Sequence, residues 1–308
     1  MKGIIYIILG ACSYGVLSTI VKLAYKAGFI VNDVVGIQMF LGAFMLWGGV
    51  FFSSKKRSNT NKYVKPTKKE IFLLTVVGST TGLTGMFYYL SLQYISASLA
   101  IVLLFQFTWM GVFIEALINR RVPEKGKLLS LIPLFIGTLC ATNIFSTGVS
   151  HIHLLGFLFG LLAAMSYTIF ILLSGKVAVQ VNPMTKTALM ISGGFTVCTI
   201  ILPPTFFANG KLLVELSLEF GIYLAFFGPF LSTLLFSKGV PLVGSGLASI
   251  LGALELPTAV IMSLFVLKEH VGASQFVGIL LILAGICLPR LLKKKVLIEN
   301  ASTVNKNF

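Results

Sequence analysis

Apolar and polar positions alternate along the chain in long blocks. Ten apolar runs cover roughly residues 3–25, 34–53, 70–91, 96–118, 127–145, 154–175, 184–203, 218–237, 244–266 and 272–291, with short polar segments between them. Each run matches the ~20 residues that a helix needs to cross a hydrocarbon core of about 30 Å. The runs are apolar on all sides and lack the period-two polar alternation of a membrane barrel strand, so they predict helices. The pattern therefore predicts an all-α integral membrane protein with ten transmembrane helices.

The pattern also repeats itself. "GACSYGVLSTIVK" at 10–22 returns as "AAMSYTIFILLSGK" at 163–176, so that Ser13 and Tyr14 recur as Ser166 and Tyr167, 153 positions later. "SASLAIVLLFQFTWMGVFIEALINRRV" aligns with "GSGLASILGALELPTAVIMSLFVLKEH" at an offset of 148. That offset puts Leu99 and Ala100 on Leu247 and Ala248, Leu103 on Leu251, Gly137 on Gly285, and the turn at Arg120 and Arg121 on Lys268 and Glu269. Each copy holds five helices, and an odd number forces the second copy to start on the opposite face of the membrane. The expected organisation is two inverted five-helix repeats, 1–148 and 149–291, followed by a cytoplasmic tail at 292–308. Halves related in this way enclose a site near the bilayer midplane. The two Ser-Tyr pairs are expected to face that shared seam.

Composition agrees with a lipid environment. Hydrophobic residues make up 56% of the chain and charged ones only 11%, with a mean hydropathy of +0.97, against about 25% charged residues in a soluble domain. The net charge of +15 reports orientation once it is mapped. With the amino terminus in the cytoplasm, 20 of the 24 basic residues fall on inside segments, leaving Lys22, Lys26, Lys211 and Lys268 outside. This positive-inside split predicts a multi-pass protein of the cell membrane with both termini cytoplasmic. The loop "SSKKRSNTNKYVKPTKK" does not interleave aromatic and basic residues as a nucleic-acid face would, so anionic lipid headgroups are its expected neighbours. "LGAC" at 9–12 imitates a lipoprotein cleavage box, but the apolar run continues unbroken through Val21, as a membrane helix does.

Chemistry inside the spans is sparse. A carboxylate in the middle of a membrane helix costs roughly 2.5–3.5 kcal/mol on insertion scales, so it needs a partner or a water-filled cavity. Glu255 sits at the centre of the ninth span, two residues before Pro257. Proline lacks an N–H and its ring clashes with the preceding turn, which opens the helix near Ala253. A carboxyl beside an opened helix suits acceptance of a proton or a substrate ammonium group, and a structural hydrogen bond to a neighbouring helix is the alternative. Glu115 lies near the cytoplasmic basic cluster and is expected to pair with Arg120 or Arg121. Ser13, Tyr14, Gln38, Tyr88, Tyr89, Gln106, Trp109, Ser166, Tyr167 and Glu255 form the candidate set for a substrate cavity. Serine also serves helix packing and tyrosine also anchors at the interface. Gly78 and Gly82, and Gly244, Ala248 and Gly252, form small-residue rows that permit close helix approach.

No metal or cofactor is expected. Cys12, Cys140, Cys198 and Cys287 are scattered singly, and His151, His153 and His270 form no ligand motif. The chain carries no HExxH, GxSxG or phosphate-binding glycine loop.

Taken together, the paired "CSYG" and "MSYT" helices, "YLSLQYISASLA" before the fourth span, and "ASILGALELPTAVIMSLFVLKEHVGASQFVGILLILAGI" at the end resemble the drug/metabolite transporter superfamily, in its EamA-like branch, over about residues 3–291. Pro257, Glu269, Gly278 and Gly285 fit that family's pattern in the last two helices. The first half departs from it, with Trp109 where the proline would stand and Arg121 where the acidic residue would. The resemblance implies a secondary transporter of the bacterial inner membrane, often an exporter of amino acids or other small metabolites, commonly driven by the proton gradient. Its expected partners are a small-molecule substrate, protons and membrane lipids. The competing function class is an integral membrane enzyme or a receptor-like binding protein.

Overall fold

The structure, a computed structural model, describes residues 2–55, 63–92, 94–95, 97–141, 153–268 and 272–304. The first half comprises α1 (Lys2–Lys26), α2 (Val31–Lys55), α3 (Lys68–Leu92), α4 (Ala97–Leu104), α5 (Phe107–Ile118) and α6 (Lys125–Ala141). The second comprises α7 (Leu154–Ser174), α8 (Pro183–Ile201), α9 (Gly210–Leu216), α10 (Ile222–Ala225), α11 (Thr233–Val243), α12 (Ser245–Gly252), α13 (Glu255–Val266) and α14 (Ala273–Val304). Among the described residues, eight helical units are long and apolar enough to cross a membrane: α1, α2, α3, the α4–α5 pair, α7, α8, the composite Leu212–Val243, and the α12–α13 pair. α6, with 17 residues, and the apolar part of α14, Ala273–Pro289, are shorter. These two coincide with the fifth and tenth predicted spans. Residues 142–145 of the fifth span, His151, Glu269 and His270 lie outside the described residues.

Local chemistry sets the helix ends. Thr67 and Glu70 form a reciprocal capping box at the start of α3: the Thr67 N–H and hydroxyl both donate to Glu70 Oε2 at 2.8 Å, and the Glu70 N–H donates back to Thr67 Oγ1. Asn182 caps α8 by accepting the Met184 N–H at 2.9 Å, with Pro183 in the first turn. After α5 and α13 the chain turns through left-handed residues, Arg120 at φ 50° and Lys268 at φ 54°. These are the two positions that the 148-residue offset superposes. The eighth span differs from an ordinary helix, because π-helical turns at Ser217–Gly221 and Phe226–Ser232 interrupt it. Pro229 lies inside the second turn, and its missing N–H suits this wide winding.

Packing follows one rule throughout. α6 lies on α14, α2 on α8, and α5 on α12. α3 packs on α7 and α8, while the eighth-span helices pack on α1 and α2; α1 packs on α12 and α13, while α7 packs on α4 and α5. With α4–α5 and α12–α13 each taken as one span, exchanging every span of one half for its counterpart in the other leaves these pairs unchanged. Small residues permit the closest crossing: a β-carbon at Gly78 would lie 1.7 Å from the Met190 carbonyl oxygen, and one at Gly193 would lie 2.0 Å from that of Thr75. α3 and α8 therefore meet backbone to backbone.

Two charged side chains are buried among the described residues, and they too stand 153 positions apart. Asp33, at 2% exposure, accepts from the Thr205 N–H and hydroxyl at 2.6 Å each and from the Phe206 N–H at 3.2 Å. Lys186, also at 2%, donates to the Ser174 carbonyl at the carboxyl end of α7, where the helix dipole favours a cation. Lys186 is one of the basic residues counted on the inside segments, and the first turn of α8 carries its side chain into the protein.

Gly78→Ala is expected to destabilise the protein by about 1–3 kcal/mol through overpacking, because the added methyl meets backbone that has nowhere to move. Gly48→Ala, where a β-carbon meets nothing within 4 Å, is the matched control and should not lower stability. Thermal unfolding in detergent compares the two, and equal midpoints would show that the α3–α8 crossing does not depend on Gly78.

Candidate functional site

The site is assembled around two interrupted helices. Between α4 and α5 the Gln106 N–H bonds the Leu103 carbonyl at 3.1 Å and the Thr108 N–H bonds Phe105 at 3.1 Å. Between α12 and α13 the Leu254 N–H bonds Leu251 at 3.2 Å and the Leu256 N–H bonds Ala253 at 3.3 Å. The same pair of three-residue bonds therefore recurs 148 positions later. In the second half Pro257 accounts for the break, as its sequence position predicts, and Leu256 takes the Ala253 carbonyl that proline cannot. The first half has no proline here. Its Gln106 side chain does the equivalent work: Nε2 donates to the Val102 carbonyl at 2.8 Å, replacing the backbone bond that Gln106 gives up, while Oε1 accepts from Trp109 Nε1 at 2.7 Å.

The repeated Ser-Tyr pairs divide their labour. Ser13 Oγ donates to the Phe227 carbonyl at 2.5 Å, inside the second π-helical turn, and Ser232 Oγ returns a bond to Gly10 at 2.7 Å. Ser166 Oγ donates to the Thr80 carbonyl of α3 at 2.9 Å. Both serines thus tie equivalent helix pairs together. The tyrosines meet each other, Tyr14 and Tyr167 lying edge to face with ring centroids 6.3 Å apart.

Beside this contact lies a cavity of about 130 Å³. It is lined by Tyr14, Leu17, Val35, Gln38, Met39, Thr81, Thr84, Gly85, Tyr89, Leu104, Tyr167, Ile191, Pro229, Thr233 and Glu255. Among the described residues, no hydrogen bond or ion pair to the Glu255 carboxyl is found. The Tyr14 hydroxyl is 3.3 Å from Thr233 Oγ1. The Tyr167 hydroxyl is buried without a partner.

Of the ten residues expected to line a cavity, Tyr14, Gln38, Tyr89, Tyr167 and Glu255 come together there. The other five are placed elsewhere. Ser13 and Ser166 are engaged between helices, and Tyr88 packs against the cluster of Ile95, Ala100 and Leu103. Gln106 is occupied at the break, and Trp109 is 39% exposed on the outer surface. Sequence reasoning did not select Thr81, Thr84 and Thr233. The first two lie in "GSTTGLTG", whose glycines drew the packing interpretation, and on a helix neighbouring threonines face different ways.

Glu115 has other partners than the adjacent arginines. Arg120 turns away through its left-handed backbone, and α6 brings Lys127 back so that its Nζ lies 2.7 Å from Glu115 Oε2. Ser245 Oγ donates to Glu115 Oε1 at 3.1 Å. One carboxylate thereby joins α5, α6 and the first turn of α12. Among the described residues no group of three or more His, Cys, Asp or Glu could hold a metal.

An interrupted helix in each half, a cavity between them and a lipid-compatible exterior define the class as an integral membrane transporter. The sequence model of the EamA-like transporter family matches residues 1–143 and 154–290, and the chain belongs to that family, within the drug/metabolite transporter superfamily. A solved crystal structure superposes with a TM-score of 0.72 at 13% identity, covering 94% of this chain and 98% of that one, which shows the fold alone. No curated protein sequence matches the chain.

Glu115→Gln and Lys127→Met are each expected to lower stability, because either leaves a mostly buried charge without its partner. The double variant should lose less than the sum, with a coupling of about 0.5–3 kcal/mol. A double-mutant cycle on detergent-solubilised protein measures this, and strict additivity would show that the pair is not coupled.

Proposed function

We propose that the chain is a secondary carrier that exports small organic metabolites, the class to which amino acids and amines belong, across the cell membrane by alternating access with proton exchange. The observation that carries this reading is Glu255. Its carboxyl stands at the first residue of α13, beside a helix interruption, in a cavity at the seam of the two halves, with no partner among the described residues. Intramembrane carboxyls placed this way serve ion and substrate pathways, and interrupted helices at a repeat interface are where such carriers hold their cargo.

The exchange-symmetric packing supports a pair of five-helix repeats, and the odd helix number then gives them opposite orientation. The basic residues support cytoplasmic termini. In that frame the Glu115–Lys127–Ser245 group holds the cytoplasmic ends of three helices, and Asp33 holds the outer end of α2 to Thr205. Alternating access opens one end while the other stays tied, and the cavity lies between the two ties. The serine ties at Ser13 and Ser166 keep each moving group together as it tilts.

Glu255→Gln is expected to leave the protein inserted and monodisperse while abolishing flux driven by an imposed pH gradient in proteoliposomes. Undiminished flux would remove Glu255 from the mechanism. Saturable counterflow is expected of the wild type, whereas unsaturable flux would indicate a pore.

A further inference from the structure

Within the carrier reading, the cavity also specifies the charge of its cargo. Among its described lining residues Glu255 is the single carboxyl, and no lysine, arginine or histidine lines it. The buried Lys186 is not among the lining residues and donates to Ser174. The two halves differ here in kind, since Phe107, 148 positions before Glu255, is fully buried and apolar. A substrate carboxylate would therefore meet no counter-charge. Helix N-termini hold anions in other proteins, and the two that begin at the interruptions are partly taken up. The first residue of α13 is Glu255 itself, and at α5 the Thr108 and Met110 N–H groups are already bonded to Phe105 and Gln106.

A cation meets the opposite situation. Among the described residues the Glu255 carboxyl is without a partner, and Tyr14, Tyr89 and Tyr167 line the same space, where aromatic rings attract cations. Tyr167 is 6% exposed, and its hydroxyl oxygen is buried without a hydrogen-bond partner among the described residues. The remaining polar lining, Gln38 and the threonine hydroxyls, is neutral. A lone carboxylate in such a site is stabilised by whichever cation enters. We infer that the cavity takes a small organic monocation, a primary amine or quaternary ammonium without a carboxylate, and discriminates against the zwitterion of the same skeleton. This narrows the substrate class proposed above and rests on the carrier reading only for transport, not for binding.

The test uses four probes on the purified full-length protein: isoamylamine, tetramethylammonium, leucine and isocaproate. Leucine is isoamylamine with an added carboxylate, and isocaproate is leucine without its amine. Calorimetry in detergent should show both cations binding, with leucine and isocaproate weaker by about tenfold or more. Glu255→Gln, checked for fold by size exclusion and melting, should remove the preference. Should that variant not fold, the wild-type comparison decides alone. Failure of both cations to bind, leucine or isocaproate binding as tightly as isoamylamine, or undiminished amine affinity in a folded Glu255→Gln would overturn the inference. Counterflow in proteoliposomes separates the two proposals. An amine that binds without exchanging contradicts the carrier reading and leaves the charge preference standing. Exchange of leucine without isoamylamine overturns the charge preference and leaves the carrier standing.

Discussion

Inside a bilayer no water is available to satisfy a backbone N–H or carbonyl, so a helix can be interrupted only where the protein itself supplies the missing bonds. That constraint shapes the centre of this molecule. Two spans break at equivalent residues, and each break is closed locally. Leu256 takes the carbonyl that Pro257 leaves, and the Gln106 amide takes the one that its own backbone abandons. The π-helical turn at Phe226–Ser232 obeys the same requirement, with the Ser13 hydroxyl donating to the Phe227 carbonyl. Leu104, Pro229 and Glu255, beside the two interruptions and within that π-helical turn, line one cavity.

The repeated frame and the unrepeated chemistry separate cleanly. Positions that fix geometry recur across the halves: the serine ties, the meeting tyrosines, the paired interruptions and the left-handed turns at Arg120 and Lys268. The sign and setting of buried charge do not recur. Glu255 faces the cavity where its counterpart Phe107 is core, and the buried Asp33 has the buried Lys186 as its equivalent. A duplicated scaffold tolerates such divergence because packing depends on volume and backbone approach, whereas a buried charge depends on its own immediate donors and acceptors.

What the sequence disclosed follows this division. Long apolar runs marked the helices, since crossing a membrane demands length and composition together, and Pro257 marked one interruption. The other interruption was hidden, because Gln106 replaces proline by a side-chain bond that no propensity scale records. Five of ten cavity candidates converge. Those that do not are residues whose type is ambiguous: serine bonds a backbone as readily as a ligand, and Trp109 and Tyr88 pack as readily as they recognise. Glu115 was placed correctly at the inner boundary, but its partner Lys127 lies across a turn whose direction depends on the left-handed Arg120. Sequence adjacency pointed to the wrong cation for that reason.

The account depends on the two halves lying antiparallel across the membrane with the Glu255 cavity at their seam. Equivalent loops offer the most direct check: Ile30, between α1 and α2, and Val179, between α7 and α8, are both exposed. In a background lacking the four native cysteines, Ile30→Cys and Val179→Cys would be labelled in intact cells with a membrane-impermeant maleimide. The account predicts labelling at position 30 from outside, and at position 179 only after the membrane is opened. Labelling of both positions from the same side would contradict it.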